Sequence, residues 1–260
     1  MPRWALIVVL AGSLAGCPKP AADPAVERGV QYFVARQGKA DPIALMFLDY
    51  LRRKHALTSL TPVVAQLKNV KPDPTHPDPE LMFHLRTYVR LYDPSVDVAH
   101  SELALAANQM DRLALEAMYC DREGSKEDLG DRLRALATNG GYYITHAALY
   151  TGWALENGCI EAPEGKSLIA ELSAKMVALI ATEPGPTDVA MEAIAFLFYV
   201  GERKQVRPEW IAEVRQAQRK DGGWNHGPAK TPSNDHSSLV GLWVMLEATR
   251  PNAAEIPWLR

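Results

Sequence analysis

The sequence predicts an all-α protein built as an array of helical hairpins, and three observations carry that expectation. Apolar residues recur at three- and four-residue spacing, with no alternating strand pattern. Pro and Gly punctuate the chain between these periodic stretches, as at Pro184-Gly185-Pro186 and Arg207-Pro208. Similar helix starts also recur: His100-Ser101-Glu102-Leu103, His146-Ala147-Ala148-Leu149, Asp188-Val189-Ala190-Met191 and His236-Ser237-Ser238-Leu239, spaced by 46, 42 and 48 residues. An interval near 45 residues suits one helix pair plus two turns, as in a stacked or ring-closed helical array.

The N-terminus comes first in the chain and carries its own signal. Arg3 gives a short positive leader, Ala5–Leu14 is apolar, and the run ends in Leu14-Ala15-Gly16-Cys17. That layout is a signal peptide, too short for a permanent membrane span. Its last four residues resemble the lipobox of bacterial lipoproteins. The resemblance implies cleavage before Cys17, a diacylglycerol on its thiol and acylation of the new amino group, with palmitate a typical chain. Residues 1–16 are then the signal peptide, 17–25 the lipidated cysteine with a short Pro/Ala tether, and 26–260 the helical body. No aspartate follows Cys17, so in a Gram-negative cell the family pattern favours the periplasmic face of the outer membrane over the inner membrane.

Within the body, helices are expected at 26–37, 42–54, 79–92, 98–119, 125–138, 144–157, 164–182, 186–200, 207–219 and 235–249, with a shorter one at 61–68. The first pair, 26–54, reads as a divergent fifth copy of the hairpin. Four prolines make 71–79 a loop. Ser233, Asn234, Asp235 and Ser237 are candidates to satisfy the free backbone N–H groups of the last helix. The charge-alternating stretch Asp121–Arg134 reads as a solvated helix face. Net charge is −3, or −4 without Arg3, and no basic stripe is present, which argues against a nucleic-acid partner. With Cys17 lipidated, Cys120 and Cys159 remain, each placed just past a helix end. In an oxidising compartment they form either a disulfide or two separate buried thiols.

Gln218-Arg219-Lys220-Asp221-Gly222-Gly223-Trp224 fits the Q-x3-G-x-W core of the QW repeats of triterpene cyclases, and Arg28–Gln37 resembles its opening half. Asp221–Leu246 also resembles a repeat of protein prenyltransferase β subunits. The resemblance implies an α/α toroid-like array of about five helical hairpins in an open or abbreviated ring, with inner helices lining a central cavity. The Asp-x-Asp-Asp motif of the cyclases is absent, and Gly223 stands where the prenyltransferase zinc cysteine would be. A similar Gly-Gly-Trp turn in toroidal polysaccharide lyases keeps a glycan substrate in view.

In such an array His100, His146, Asp188 and His236 begin successive inner helices at one end of the cavity. Three readings follow. The residues are local caps; or they bind an anion or other ligand together with Trp224, helped by the positive helix N-termini; or the imidazoles of His100, His146 and His236 with the Asp188 carboxylate hold zinc with an open position for water. His226 is an additional loop histidine. Tyr142, Tyr143, Trp153, Trp224 and Trp243 either line an apolar or sugar-binding cavity or form ordinary core; Trp153 and Trp243 each follow their histidine by seven residues, as a shared packing role requires. No nucleophile elbow, phosphate loop or paired-cysteine motif is present.

These features lead to a membrane-anchored periplasmic module that binds an envelope ligand or protein. The alternative is an enzyme of the toroid class acting on a polyprenyl or glycan substrate, with His146, Asp188 and His236 as its candidate catalytic residues. Replacing Cys17 with Ser should move the protein from the detergent phase to the aqueous phase in phase partition and abolish incorporation of labelled palmitate, because the acyl chains supply the membrane affinity.

Overall fold

The computed structural model describes residues 23–69, 78–96, 98–106, 108–124, 128–225 and 231–259, apart from the His100 side chain. These form twelve α-helices: α1 (Pro24–Ala35), α2 (Pro42–Lys54), α3 (Thr61–Val64), α4 (Pro79–Thr87), α5 (His100–Leu103), α6 (Gln109–Glu123), α7 (Leu129–Leu136), α8 (Tyr142–Glu156), α9 (Ala162–Thr182), α10 (Asp188–Tyr199), α11 (Pro208–Gln216) and α12 (Asp235–Thr249). The only pairing of extended backbone among them is an isolated bridge, Trp224 with Asn234. No described helix is long and apolar enough to cross a membrane. The leader, Cys17, the tether to residue 22 and most of the proline loop lie outside the described residues.

Helix starts follow from local chemistry. Asp23, Asp41 and Asp78 each precede a proline, and each carboxylate accepts a backbone N–H of the first turn, from Ala25 (2.8 Å), Ile43 (2.8 Å) and Leu81 (2.9 Å). Proline at the first helical position loses nothing, because its missing N–H would have been unpaired there. Asn108, Thr187 and Asn234 open α6, α10 and α12 in the same way.

Three expected helices are cut short by competing hydrogen bonds. The expected 98–119 helix is two helices, because the Asn108 side chain takes the Asp111 N–H at 2.8 Å and starts α6 afresh. Cys120 therefore lies inside α6 rather than past a helix end. The 79–92 helix gives way after Thr87, whose carbonyl accepts the Tyr119 hydroxyl at 2.7 Å, to a short 3₁₀ turn. The 207–219 helix stops at Gln216, where the Gln218 amide turns to the carbonyls of Ala25 (2.8 Å) and Gly222 (2.9 Å).

The packing follows a simple order. α6 packs on α8, α8 on α10, and α10 on α12; α12 packs on α1 and α2, and α2 on α4. α7, α9 and α11 flank this series, against α8, α8 with α10, and α12 respectively. Residues at the N-termini of α8, α10 and α12 touch one another, and so do residues toward their C-termini. These three helices are therefore parallel neighbours. Cys120 and Cys159 are joined by a disulfide that ties α6 to the turn after α8, with Cα atoms 5.8 Å apart.

Trp224 shows why the Gly-Gly-Trp turn exists. Its indole N–H donates to the Val214 carbonyl at 2.7 Å, folding the turn back on α11. A Cβ on Gly241 would come within 2.5 Å of the Trp224 ring, so glycine there lets α12 approach. Gly222 holds φ +89°, and a Cβ there would sit 2.3 Å from the Arg28 carbonyl. The two QW-like segments thus dock on each other.

The C-terminal tail closes the opposite end of the parallel helices. Trp258 is fully buried, with ring centroids 4.7 Å from Tyr50, 4.9 Å from Phe47, 5.3 Å from Trp243, 5.4 Å from Tyr199 and 5.5 Å from Trp153. Glu156 accepts the N–H groups of Trp258 and Leu259, each at 2.9 Å, and Arg53 donates to the Trp258 carbonyl at 2.8 Å. Trp153 and Trp243 are fully buried core residues on either side. Trp258→Ala should cost about 3–5 kcal/mol of stability, read as a lower urea midpoint with a nearly unchanged slope.

Candidate functional site

The three parallel helices bring His146, Asp188 and His236 to one end, together with Glu192, Ser237, Thr145 and Tyr142. Asp188 and Glu192 lie one turn apart on α10 and share a face. Asp188 accepts three side-chain donors: His236 Nδ1 at 2.7 Å, the Tyr142 hydroxyl at 2.6 Å and the Ser237 hydroxyl on its other oxygen. The second nitrogen of His236 lies 3.1 Å from Glu192. Glu192 also accepts Thr145, and its carboxylate is 3.4 Å from His146 Nδ1.

The electrostatics are those of a held ion pair. Burial pushes the Asp188 carboxyl up, but the bonds and charge of His236, with Ser237 and Tyr142, outweigh it and hold its pKa at about 2. Burial likewise opposes charge on His236, yet the two carboxylates raise its pKa to about 10. Glu192 is buried, but both histidines and Thr145 keep its pKa below the ordinary value. Tyr142 is pushed up by burial and by its bond to Asp188. Both His236 nitrogens face carboxylates, so the ring is an imidazolium and has no lone pair for a metal.

His146 is different. Its Nδ1 lies 2.8 Å from the Tyr142 carbonyl, which can only accept, so Nδ1 carries a proton and the backbone orients the ring. His146 also lines a cavity of roughly 620 Å³ between α2, α4, α6 and α8. Phe47, Leu149 and Trp153 form its apolar side, with Tyr143 at the same wall. Its polar side carries Glu80, His84, Asn108 and Asp111. Asp111 accepts His84 Nε2 at 2.9 Å, the Tyr88 hydroxyl at 3.0 Å and the Asn108 amide at 2.8 Å. Burial acts against the Asp111 charge, but His84, Tyr88 and Asn108 keep its pKa below the ordinary value.

Among the described residues, the group whose donor atoms lie close enough to share an ion is Glu80, His84 and Asp111, all within 4.8 Å of one another. Of the expected zinc set, His146 and His236 both approach Glu192, but both His236 nitrogens face carboxylates and His146 Nδ1 bonds its own turn. His100 heads the four-residue α5, and its side chain lies outside the described residues, as does His226. Trp224 is fully buried between α11 and α12, away from both polar clusters.

Sequence reasoning had no place for Glu192, Glu80, His84 and Asp111. A signal existed in two pairs spaced i, i+4 on helices, Asp188 with Glu192 and Glu80 with His84. Asp111 is recognised only once α4 and α6 are packed. Ser237 and His236 are sequence neighbours, but both reach Asp188 because it stands between their directions on the adjoining helix.

The His236 shift sets a pH dependence. A pKa raised from 6.5 to about 10 stabilises the fold fully below pH 6.5 and is lost as pH rises toward 10. The Asp188 shift acts oppositely, its contribution fading as pH falls from about 4 toward 2. With the His236 ring 46% exposed, the alkaline loss should be about 1 kcal/mol, seen as a fall of about 2–4 °C in melting temperature between pH 6.5 and 10. His236→Gln should flatten that slope; an unchanged slope would exclude the pair as its source. In comparisons with family models, curated proteins and solved structures, the chain matches none.

Proposed function

We propose that this chain is a lipid-anchored periplasmic binding module whose helices form an α/α toroid-like array and whose cavity takes a small envelope ligand. The cavity carries the reading: roughly 620 Å³, its lining combining apolar Phe47, Leu149 and Trp153 with polar His84, Asn108 and Asp111. That size and mixture suit a ligand with an apolar body and a polar end. The circuit of contacts from α2 through α12 and back to α2 supports the toroid-like reading, as do the three parallel helices that start at repeat-equivalent positions. The Leu14–Cys17 segment carries the anchor, with the outer membrane as its site in a Gram-negative cell.

A second reading, an enzyme on a polyprenyl or glycan substrate, is favoured by one observation. His146 lines the cavity with a ring that the backbone orients through Nδ1, and an oriented imidazole suits acid–base chemistry. In that reading Glu192 and the Asp188–His236 pair position the helix that carries His146.

The two readings separate experimentally. The protein extracted from membranes in mild detergent should carry a co-purifying ligand in native mass spectrometry. Asn139→Trp, a bulky change at the exposed cavity rim, should displace that ligand while leaving the fold intact by circular dichroism. Turnover of polyprenyl phosphates or envelope glycans that disappears in His146→Ala would favour the enzyme. An empty wild-type protein with no such turnover would sink both.

A further inference from the structure

We propose that Glu80, His84 and Asp111 hold a divalent transition-metal ion, zinc fitting best, with its remaining coordination facing the cavity. The donor set is one imidazole and two carboxylates, which suits zinc and its neighbours better than calcium or magnesium, whose ligands are oxygens. Three protein ligands with an open fourth position is the arrangement in which zinc meets water or a bound molecule.

The geometry supports each ligand. His84 Nε2 and Asp111 Oδ1 are 2.9 Å apart. Two donors each about 2.0–2.2 Å from one zinc ion stand roughly 3 Å apart or slightly more, so both reach it with little movement. Glu80 lies one turn before His84 on α4 and shares its face. It is exposed, and its donor atom is already within 4.8 Å of the other two.

The surroundings hold the two inner ligands in place. Asp111 is fixed by the Asn108 amide and the Tyr88 hydroxyl, the kind of supporting bond that orients a metal ligand. Tyr88 also packs on the His84 ring, centroids 4.7 Å apart. The other ring nitrogen, His84 Nδ1, is buried and has no hydrogen-bond partner among the described residues. Binding the ion at Nε2 moves the ring proton to this nitrogen. His146 lines the same cavity, so a molecule bound at the ion would share that space with its ring.

The test uses the full chain purified from membranes in detergent, without a histidine tag and stripped with a chelator. Zinc binding is followed by titration calorimetry and by elemental analysis after dialysis, and cobalt substitution by its visible absorption. One ion per chain is expected. Glu80→Gln and His84→Gln should each weaken binding by at least about tenfold, whereas Glu171→Gln, at an exposed carboxylate on α9 outside the cavity lining, should bind as the wild type does. Glu80 is exposed, so its variant tests the ligand set without disturbing the core; melting curves check that all three variants fold. A folded wild type that takes up no zinc overturns the proposal. So does binding in Glu80→Gln or His84→Gln within about twofold of wild type, or an equal loss in Glu171→Gln.

Discussion

Packing α8, α10 and α12 in parallel places three positive helix ends side by side, and the fold depends on how that charge is met. Each helix N-terminus carries unpaired N–H groups and roughly half a positive charge. Buried carboxylates stand in the first two turns of α10 and α12 and of α6: Asp111, Asp188, Glu192 and Asp235. Each is held by side-chain donors. Asp235 also fastens the array, because it accepts the Tyr32 hydroxyl, the Arg36 guanidinium and the Asp41 N–H. One carboxylate on α12 thereby joins α1, the start of α2 and its own helix.

The opposite end is closed by the reverse arrangement. Glu247, near the C-terminus of α12, is buried among Lys54, His55 and Arg203, the first two at the end of α2. Breaking such a buried pair costs far more than the pair contributes when intact, because it leaves a bare charge in a poor solvent for charge. Beside it, Trp258 fills the space between the parallel helices. With that end filled, the open volume near the helix starts is displaced to one side, between α2, α4, α6 and α8. The proposed ligand and metal positions therefore share a cavity bounded by α8 rather than lying among the three parallel N-termini.

This division gives the two polar clusters different work. His236 is an imidazolium clasped by two carboxylates, an internal ion pair that relieves charge and sets helix spacing. His84 and Asp111 sit at a cavity wall with an exposed carboxylate beside them. The first cluster satisfies itself; the second leaves a buried nitrogen unpaired and faces open space.

Much of the secondary structure was written locally. Apolar spacing, the Asp-Pro and Asn starts, and the Gly-Gly-Trp turn act within a few residues, so α2 and α12 appear with the bounds their sequences imply. Helix ends set by distant partners did not, as with Thr87, whose carbonyl is claimed by Tyr119, and Gln218, whose amide reaches Ala25. The same divide runs through the site. The similar helix starts name His146, Asp188 and His236, and these stand on one level because α8, α10 and α12 run parallel. Which nitrogen meets which carboxylate, and that Asp111 meets His84, depends on how far apart and at what rotation separate helices pack. That is decided by side-chain volumes across the whole core, and no stretch of sequence encodes it alone.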